Sequence, residues 1–127
     1  MESFNQLAME ALSQPLMGWD FAFVRGRMIE SKTSWDYLAV VREHLPSAHA
    51  LLDMDTGGGE RLSELMPLPR FACATERYAP NVPVAHARLA PLGVQVVQYK
   101  DKRALPFADA SFERYLYHAT SWWAQFV

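Results

Sequence analysis

Apolar residues in the first third of the chain recur at the spacing of amphipathic helices. Over residues 3–14 they fall three or four positions apart until Pro15 ends the pattern, which predicts a short helix. A second helix is predicted to begin at a cap formed by Thr33 and Ser34 and to run to Leu45, just before a proline. We expect both helices to pack on a larger body as an N-terminal helical cap.

After residue 47 the pattern changes to short apolar runs that alternate with helical segments. This alternation is typical of βαβ units, which build a parallel sheet. Predicted strands cover 48–54, 70–76, 94–100 and 113–118, and predicted helices cover 60–66 and 80–93. The sequence therefore predicts an α/β protein, with a helical cap over 1–47 and a strand-containing core over 48–127.

The composition narrows the classes of function. A net charge of −2 without a basic stripe argues against nucleic acid as a partner. The N-terminus lacks the basic start and apolar run of a signal peptide, and no segment is long enough to span a membrane. The single cysteine, Cys73, excludes an internal disulfide framework and favours a reducing compartment, so we expect a cytoplasmic protein. The histidines show no metal-ligand spacing, and no metal site is expected.

The candidate chemistry lies where the first predicted strand runs into three glycines, in the sequence LLDMDTGGGE at 51–60. Such a turn lets a ligand approach backbone amides closely. A nucleoside triphosphate loop would need a lysine after the glycines, and a dinucleotide loop would need a third glycine where Leu62 stands. Asp53, which ends the strand, instead suits a ligand with an ammonium or sulfonium group.

Two further acidic residues follow the next two predicted strands. Glu76 ends the second strand, 17 residues beyond Gly59, where its carboxylate can accept hydrogen bonds from two ribose hydroxyls. Asp101 follows the third strand and is placed to accept from an adenine amino group. Together with Asp53, these residues imply a ligand made of adenosine and a cationic amino acid.

At these residues the chain resembles the class I S-adenosylmethionine-dependent methyltransferases. The resemblance covers 48–118 and rests on LLDMDTGGGE, on ATE at the end of the second strand, and on DKRALPFADASFE at 101–113. It implies a Rossmann-like half domain with a mostly parallel four-stranded sheet in the order 3-2-1-4, and S-adenosylmethionine as the cofactor of methyl transfer. It also implies that the methionine end is cradled by Asp53, Gly57 and Gly59, the ribose is bound by Glu76, and the adenine is bound by Asp101 and Lys102.

The chain departs from the family pattern at three points. Asp55 stands where the family has its first glycine, and a left-handed backbone there costs about 1–2 kcal/mol. Its carboxylate lies near the expected methionine zwitterion, so Asp55 is counted among the cofactor-binding residues. Glu113 replaces the aspartate of the fourth strand. The family also continues with further strands and helices, so we expect a truncated methyltransferase.

The sequence identifies neither a general base nor a methyl acceptor, so the catalytic residues stay unassigned. His118, at the end of the fourth strand, and Trp35 and Tyr37, before the first, are weaker candidates for a place near the cofactor. The main expectation is methyl transfer to an unknown acceptor. The alternatives are a non-catalytic cofactor-binding or assembly module and an inactive truncated fragment.

The fourth strand is expected to be an open edge of the sheet. Unpaired backbone groups at such an edge form a template for pairing with another chain. We therefore expect a homodimer through this edge and through the apolar cluster around Trp122 and Trp123. The alternative is that this terminal segment folds onto the sheet of its own chain.

Overall fold

A four-stranded parallel sheet lies at the centre of the protein. The computed structural model describes residues 2–15, 20, 22–27, 29, 31–101 and 103–117. The strands stand in the order β3-β2-β1-β4, which confirms the predicted class and the predicted order 3-2-1-4. Their bounds are β1 (Ala50–Met54), β2 (Phe71–Glu76), β3 (Gln95–Gln98) and β4 (Arg114–Tyr117).

Four α-helices precede or connect the strands, and none of the described helices is long and apolar enough to cross a membrane. Their bounds are α1 (Phe4–Ser13), α2 (Tyr37–His44), α3 (Glu60–Ser63) and α4 (Asn81–Leu89). Short 3₁₀ turns cover Ala22–Val24, Leu45–Ser47 and Ala90–Leu92. Gly93 then ends the last of these turns with φ 79°, so the predicted helical stretch over 80–93 is confirmed.

The two N-terminal helices begin at different kinds of cap. Ser3 and Gln6 form a capping box that starts α1, as the predicted helix over 3–14 requires. The predicted cap of the second helix is wrong, because Asp36 accepts a hydrogen bond from the backbone N–H of Ala39 at 3.1 Å. Thr33 instead donates its hydroxyl to a backbone carbonyl two residues further on.

The apolar stripe of α1 does not pack as expected. Phe4 and Leu12 are each more than 80% exposed, and no residue of α1 is buried. The contact that ties α1 to the following segment is polar, an ion pair of 2.9 Å between Glu10 and Arg27. The expectation that both N-terminal helices pack on the sheet therefore holds only for α2 in the part of the chain that is described.

The core lies on one face of the sheet, beneath α2, α3 and α4. Leu51 of β1 and Leu116 of β4 both point to this face. Paired residues of a parallel sheet point to the same side, and Leu51 pairs with Ala72, which also belongs to the buried cluster. Leu116 pairs with Asp53, two residues after Leu51 and therefore on the same side. The buried cluster contains Leu38, Val41, Leu45, Leu51, Leu62, Leu65, Ala72, Ala74, Ala85, Leu89, Val94 and Leu116. The helix α2 therefore packs in the same core as the strands. The predicted division of the chain into 1–47 and 48–127 stays a prediction.

The opposite face of the sheet carries large side chains in contact with solvent. Leu52 is buried here beside the segment 103–112, whereas Phe71, Tyr115 and Tyr117 are 61%, 57% and 43% exposed. Phe107 and Phe112 pack edge to face, with ring centroids 5.0 Å apart. The predicted fourth strand over 113–118 is confirmed as β4. His118, the last residue of the predicted strand, lies outside the described residues.

Candidate cofactor site

The carboxyl ends of β1 and β2 meet at the glycine turn that follows β1. Asp53, at the end of β1, is fully buried, and the backbone N–H of Thr56 donates to the carbonyl of Thr75 at 2.9 Å. This bond ties the turn to β2. Ligands of open parallel sheets bind outside the carboxyl ends of the strands, so these residues stand where the sequence placed the site.

Glu76 is the residue that joins β2 to the glycine turn. It is 5% exposed, and its Oε2 accepts a hydrogen bond of 2.7 Å from the N–H of Gly57. Its Oε1 accepts another of 2.7 Å from the N–H of Tyr78. A carboxylate has about four acceptor positions, so two remain for a ligand. The predicted ribose acceptor thus also positions the turn, a role that the sequence did not reveal.

The turn depends on glycines at two positions with left-handed backbone. Gly57 has φ 66° and Gly59 has φ 78°, and Gly59 is the residue from which α3 begins. A Cβ atom on Gly59 would lie 2.7 Å from Cγ of Leu89, so α3 and α4 approach each other closely here. The close packing of α3 on α4 therefore requires glycine at position 59.

Arg88 is a second link between α4 and the turn. Its Nη1 atom donates to the carbonyl of Gly58 at 3.0 Å and lies 2.9 Å from Oε1 of Glu60. One guanidinium group therefore holds both the turn and the first residue of α3. Sequence reasoning missed Arg88, because the arginine and the glycines are 30 residues apart and only the packing of α4 brings them together.

Asp55 adopts the left-handed backbone expected of the glycine that it replaces, with φ 55°. Its Oδ1 accepts a hydrogen bond of 2.5 Å from the hydroxyl of Tyr99, a residue that directly follows β3. Burial, followed by this bond to Asp55, raises the pKa of Tyr99 above its usual value. Tyr99 was also missed at the sequence level, although an aromatic hydroxyl at a strand end next to an acidic turn is a usable signal.

Asp101 lies at the surface after β3 and is bound within its own loop. Its two carboxylate oxygens accept from Arg103, with the shortest side-chain distance 3.1 Å and the backbone N–H at 2.9 Å. These hydrogen bonds to Arg103 hold the pKa of Asp101 below its usual range. Contact with adenine therefore stays a prediction for Asp101, and Lys102 lies outside the described residues.

A cleft of about 200 Å³ opens beside the turn, on the face of the sheet opposite to α2. It is lined by Met54, Asp55, Tyr99, Leu105 and Tyr117. Pockets that bind small molecules usually measure about 300–1,000 Å³. The cleft is smaller than this range and could hold only part of a ligand, of about the size of an amino acid. Its walls are mostly apolar, and Asp55 contributes the one carboxylate among the lining residues.

Tyr37 of α2 lies within the electrostatic field of Asp53, and burial together with that negative charge raises its pKa to about 12. Between pH 10 and about 12 the unfolded chain loses this proton while the folded chain keeps it, so stability falls as pH rises. We expect Tyr37→Phe to lose stability less steeply than the wild type over this interval, as measured by urea unfolding at several pH values. Parallel stability curves for the two proteins would contradict the assignment.

Cys73 lies on β2 away from the turn. Burial raises the pKa of its thiol. Within the described ranges no group of three or more His, Cys, Asp and Glu residues could hold a metal ion.

The strand order and the glycine turn after β1 give this chain a class I methyltransferase-like fold. It is similar to the S-adenosylmethionine-bound structure of CalS10, an amino pentose methyltransferase from Micromonospora echinaspora involved in calicheamicin biosynthesis, with 26% identity and a TM-score of 0.54 over 76% of this chain and 40% of that one. It is also similar to YcgJ from Bacillus subtilis, with 22% identity and a TM-score of 0.54 over 64% of this chain and 36% of that one. The chain thus spans about two fifths of the length of these structures. No protein-family model and no curated protein matches it.

Proposed function

We propose that this chain binds S-adenosylmethionine across the carboxyl ends of β1, β2 and β3 and acts in methyl transfer to an acceptor that stays unassigned. The observation that carries the proposal is the bond between Glu76 and the N–H of Gly57. It joins the acidic end of β2 to the glycine turn of β1 in one buried unit. CalS10 was solved with S-adenosylmethionine bound, which supports the same cofactor here.

The residues present fit this cofactor in their chemistry. Glu76 has two acceptor positions left for ribose hydroxyls. The buried hydroxyls of Thr56 in the turn and of Thr75 in β2 have no hydrogen-bond partner among the described residues, so a ligand could satisfy them. Asp53 places negative charge where an ammonium or sulfonium group would be stabilised, whereas Asp55 would attract the ammonium and repel the carboxylate of the methionine end.

In this proposal seven residues bind and orient the cofactor. The methionine end is assigned to Asp53, Asp55, Gly57 and Gly59, the ribose to Glu76, and the adenine to Asp101 and Lys102. When bound, S-adenosylmethionine supplies an electrophilic methyl group on a positively charged sulfur. The chain contributes proximity and orientation, and a general base is not required for every acceptor. The reducing interior of the cell is the compartment that the single thiol favours.

Isothermal titration calorimetry with S-adenosylmethionine and S-adenosylhomocysteine tests the proposal. We expect measurable but weak binding by the wild type, because Asp55 costs backbone strain at the first position of the turn. Asp55→Gly removes that strain and is expected to bind more tightly. Glu43→Gln, an exposed change on α2, serves as the control and should bind as the wild type does.

Absence of heat with either ligand at millimolar concentration, in a sample shown to be folded by circular dichroism, would refute cofactor binding. Release of labelled methyl to a panel of acceptors then separates the enzyme from the non-catalytic binding or assembly module. Binding without transfer to any acceptor would favour the module. Transfer would establish the enzyme and exclude the inactive fragment.

A further inference from the structure

The outer side of β4, away from β1, borders a groove. The groove measures about 480 Å³ and runs between β4 and α2. Its walls include Val40 and His44 of α2 together with all four residues of β4. No strand among the described residues pairs with the outer side of β4.

The hydrogen bonds of the sheet identify which residues of β4 direct their backbone groups to that outer side. The N–H of Phe71 donates to the carbonyl of His49, so the odd-numbered residues of β1 bond to β2 and the even-numbered residues bond to β4. Leu52 of β1 is the register partner of Tyr115. In a parallel ladder the bonds of Leu52 therefore go to the residues on either side of Tyr115. Tyr115 and Tyr117 are left with N–H and C=O groups that point outward.

We propose that this edge pairs with the β4 strand of a second copy of the chain, antiparallel and about a two-fold axis at Leu116. In that register Tyr115 of each copy stands opposite Tyr117 of the other. Each such pair exchanges two N–H to C=O bonds, and the two-fold axis repeats them. The outward groups of one edge are thus satisfied by the same groups of the other, as an isologous interface requires.

The side chains along β4 suit the same register. On the open face of the sheet, Tyr115 and Tyr117 are 57% and 43% exposed, and the dimer places each against the other as a cross-strand aromatic pair. On the opposite face the two Leu116 side chains meet at the axis. Val40, which is 45% exposed, lies in the groove beside them. No residue of β4 then stands directly opposite a like charge.

The other edge of the sheet is less suited to this pairing. The outer strand there, β3, begins and ends with exposed glutamines, Gln95 and Gln98. Apolar burial is the main favourable term in association, and it is available along β4. The proposal thus gives the expected homodimer through the fourth strand a defined register, with Tyr115 opposite Tyr117, and a two-fold axis at Leu116. The cluster around Trp122 and Trp123, which was expected to take part, lies outside the described residues.

The oligomeric state is the first test. Light scattering after size exclusion should give about twice the chain mass of 14.4 kDa for the wild type. Tyr115→Pro removes an outward N–H, a change that an edge strand tolerates, and is expected to weaken the dimer at least tenfold while the circular dichroism spectrum is retained. Phe71→Lys is the control, because this exposed residue lies on the open face but away from the edge. It should leave the dimer intact.

Disulfide formation tests the register directly in a Cys73→Ser background. Tyr115→Cys and Tyr117→Cys chains, refolded together and oxidised, should give a covalent dimer because the two positions lie opposite each other. Neither variant alone should do so, since the identical positions are then more than about 7 Å apart across the axis. A monomer at every concentration, a dimer unaffected by Tyr115→Pro, or a covalent dimer from one variant alone would each overturn the proposal.

Discussion

Gly59→Ala is expected to lower the free energy of unfolding by about 2–5 kcal/mol and to abolish cofactor binding. Two costs add at this residue. An L-residue with φ 78° loses about 1–2 kcal/mol. The new Cβ would also lie 2.7 Å from Cγ of Leu89, and overpacking of this kind costs about 1–3 kcal/mol. Relief of the clash would displace the turn from which α3 begins. Urea unfolding and calorimetric titration measure the two effects.

Gly93→Ala is the matched control for this experiment. Gly93 has φ 79°, almost the same backbone conformation, but an added Cβ there meets no atom within 4 Å. We expect it to lose only the backbone cost of about 1–2 kcal/mol and to keep its affinity for the cofactor. Equal losses in the two variants would show that Leu89 moves aside without cost and that close packing is not what requires glycine at position 59.

The parts of the fold that depend on local pattern could be predicted from the sequence. Alternating apolar runs located β1, β2, β3 and β4 to within two residues at each end. The acidic ends of β1 and β2 predicted the edge at which the cofactor site is proposed. The strand order came from the resemblance carried by the motifs, because periodicity alone does not say which strands are neighbours.

Contacts between distant residues were beyond the sequence. Tyr99 reaches Asp55 across 44 positions, and Arg88 reaches Gly58 across 30, and both contacts exist only because α4 and β3 fold back onto β1. The cap of α2 was misplaced for a different reason. Thr33 and Asp36 are both good caps in isolation, and the choice between them depends on where α2 meets the sheet.

The exposed stripe of α1 shows the limit of amphipathic patterns. Such a pattern predicts that a helix forms, and the capping box at Ser3 supports this locally. The pattern does not predict which surface the apolar side of the helix packs against. Asp101 illustrates the same limit within the site, because its position after β3 was predicted, whereas its bonds to Arg103 depend on the conformation of the loop.

Glu76→Gln is expected to lower the free energy of unfolding by about 1.5–3 kcal/mol and to weaken S-adenosylmethionine binding more than tenfold. The two carboxylate oxygens each accept from a backbone N–H, one from the buried Gly57 and one from Tyr78, where the bond is partly buried. An amide of the same shape has one oxygen, so its NH₂ group must face one of these N–H donors. The one bond that is lost is charge-assisted, and its loss costs about 1.5–3 kcal/mol. Urea unfolding and calorimetric titration measure both results.

Glu113→Gln separates the effect of burial from the loss of a carboxylate as such. Glu113 also accepts a bond from a backbone N–H, that of His49 at 2.6 Å, but its side chain is half exposed. Water can replace the lost acceptor there, so the change in stability should be much smaller than for Glu76→Gln, and cofactor affinity should not change. Comparable losses of stability and affinity in the two variants would mean that the burial of Glu76 gives its bonds no special importance. A loss confined to Glu76→Gln would identify the buried bond to Gly57 as the contact that holds the glycine turn ready for its ligand.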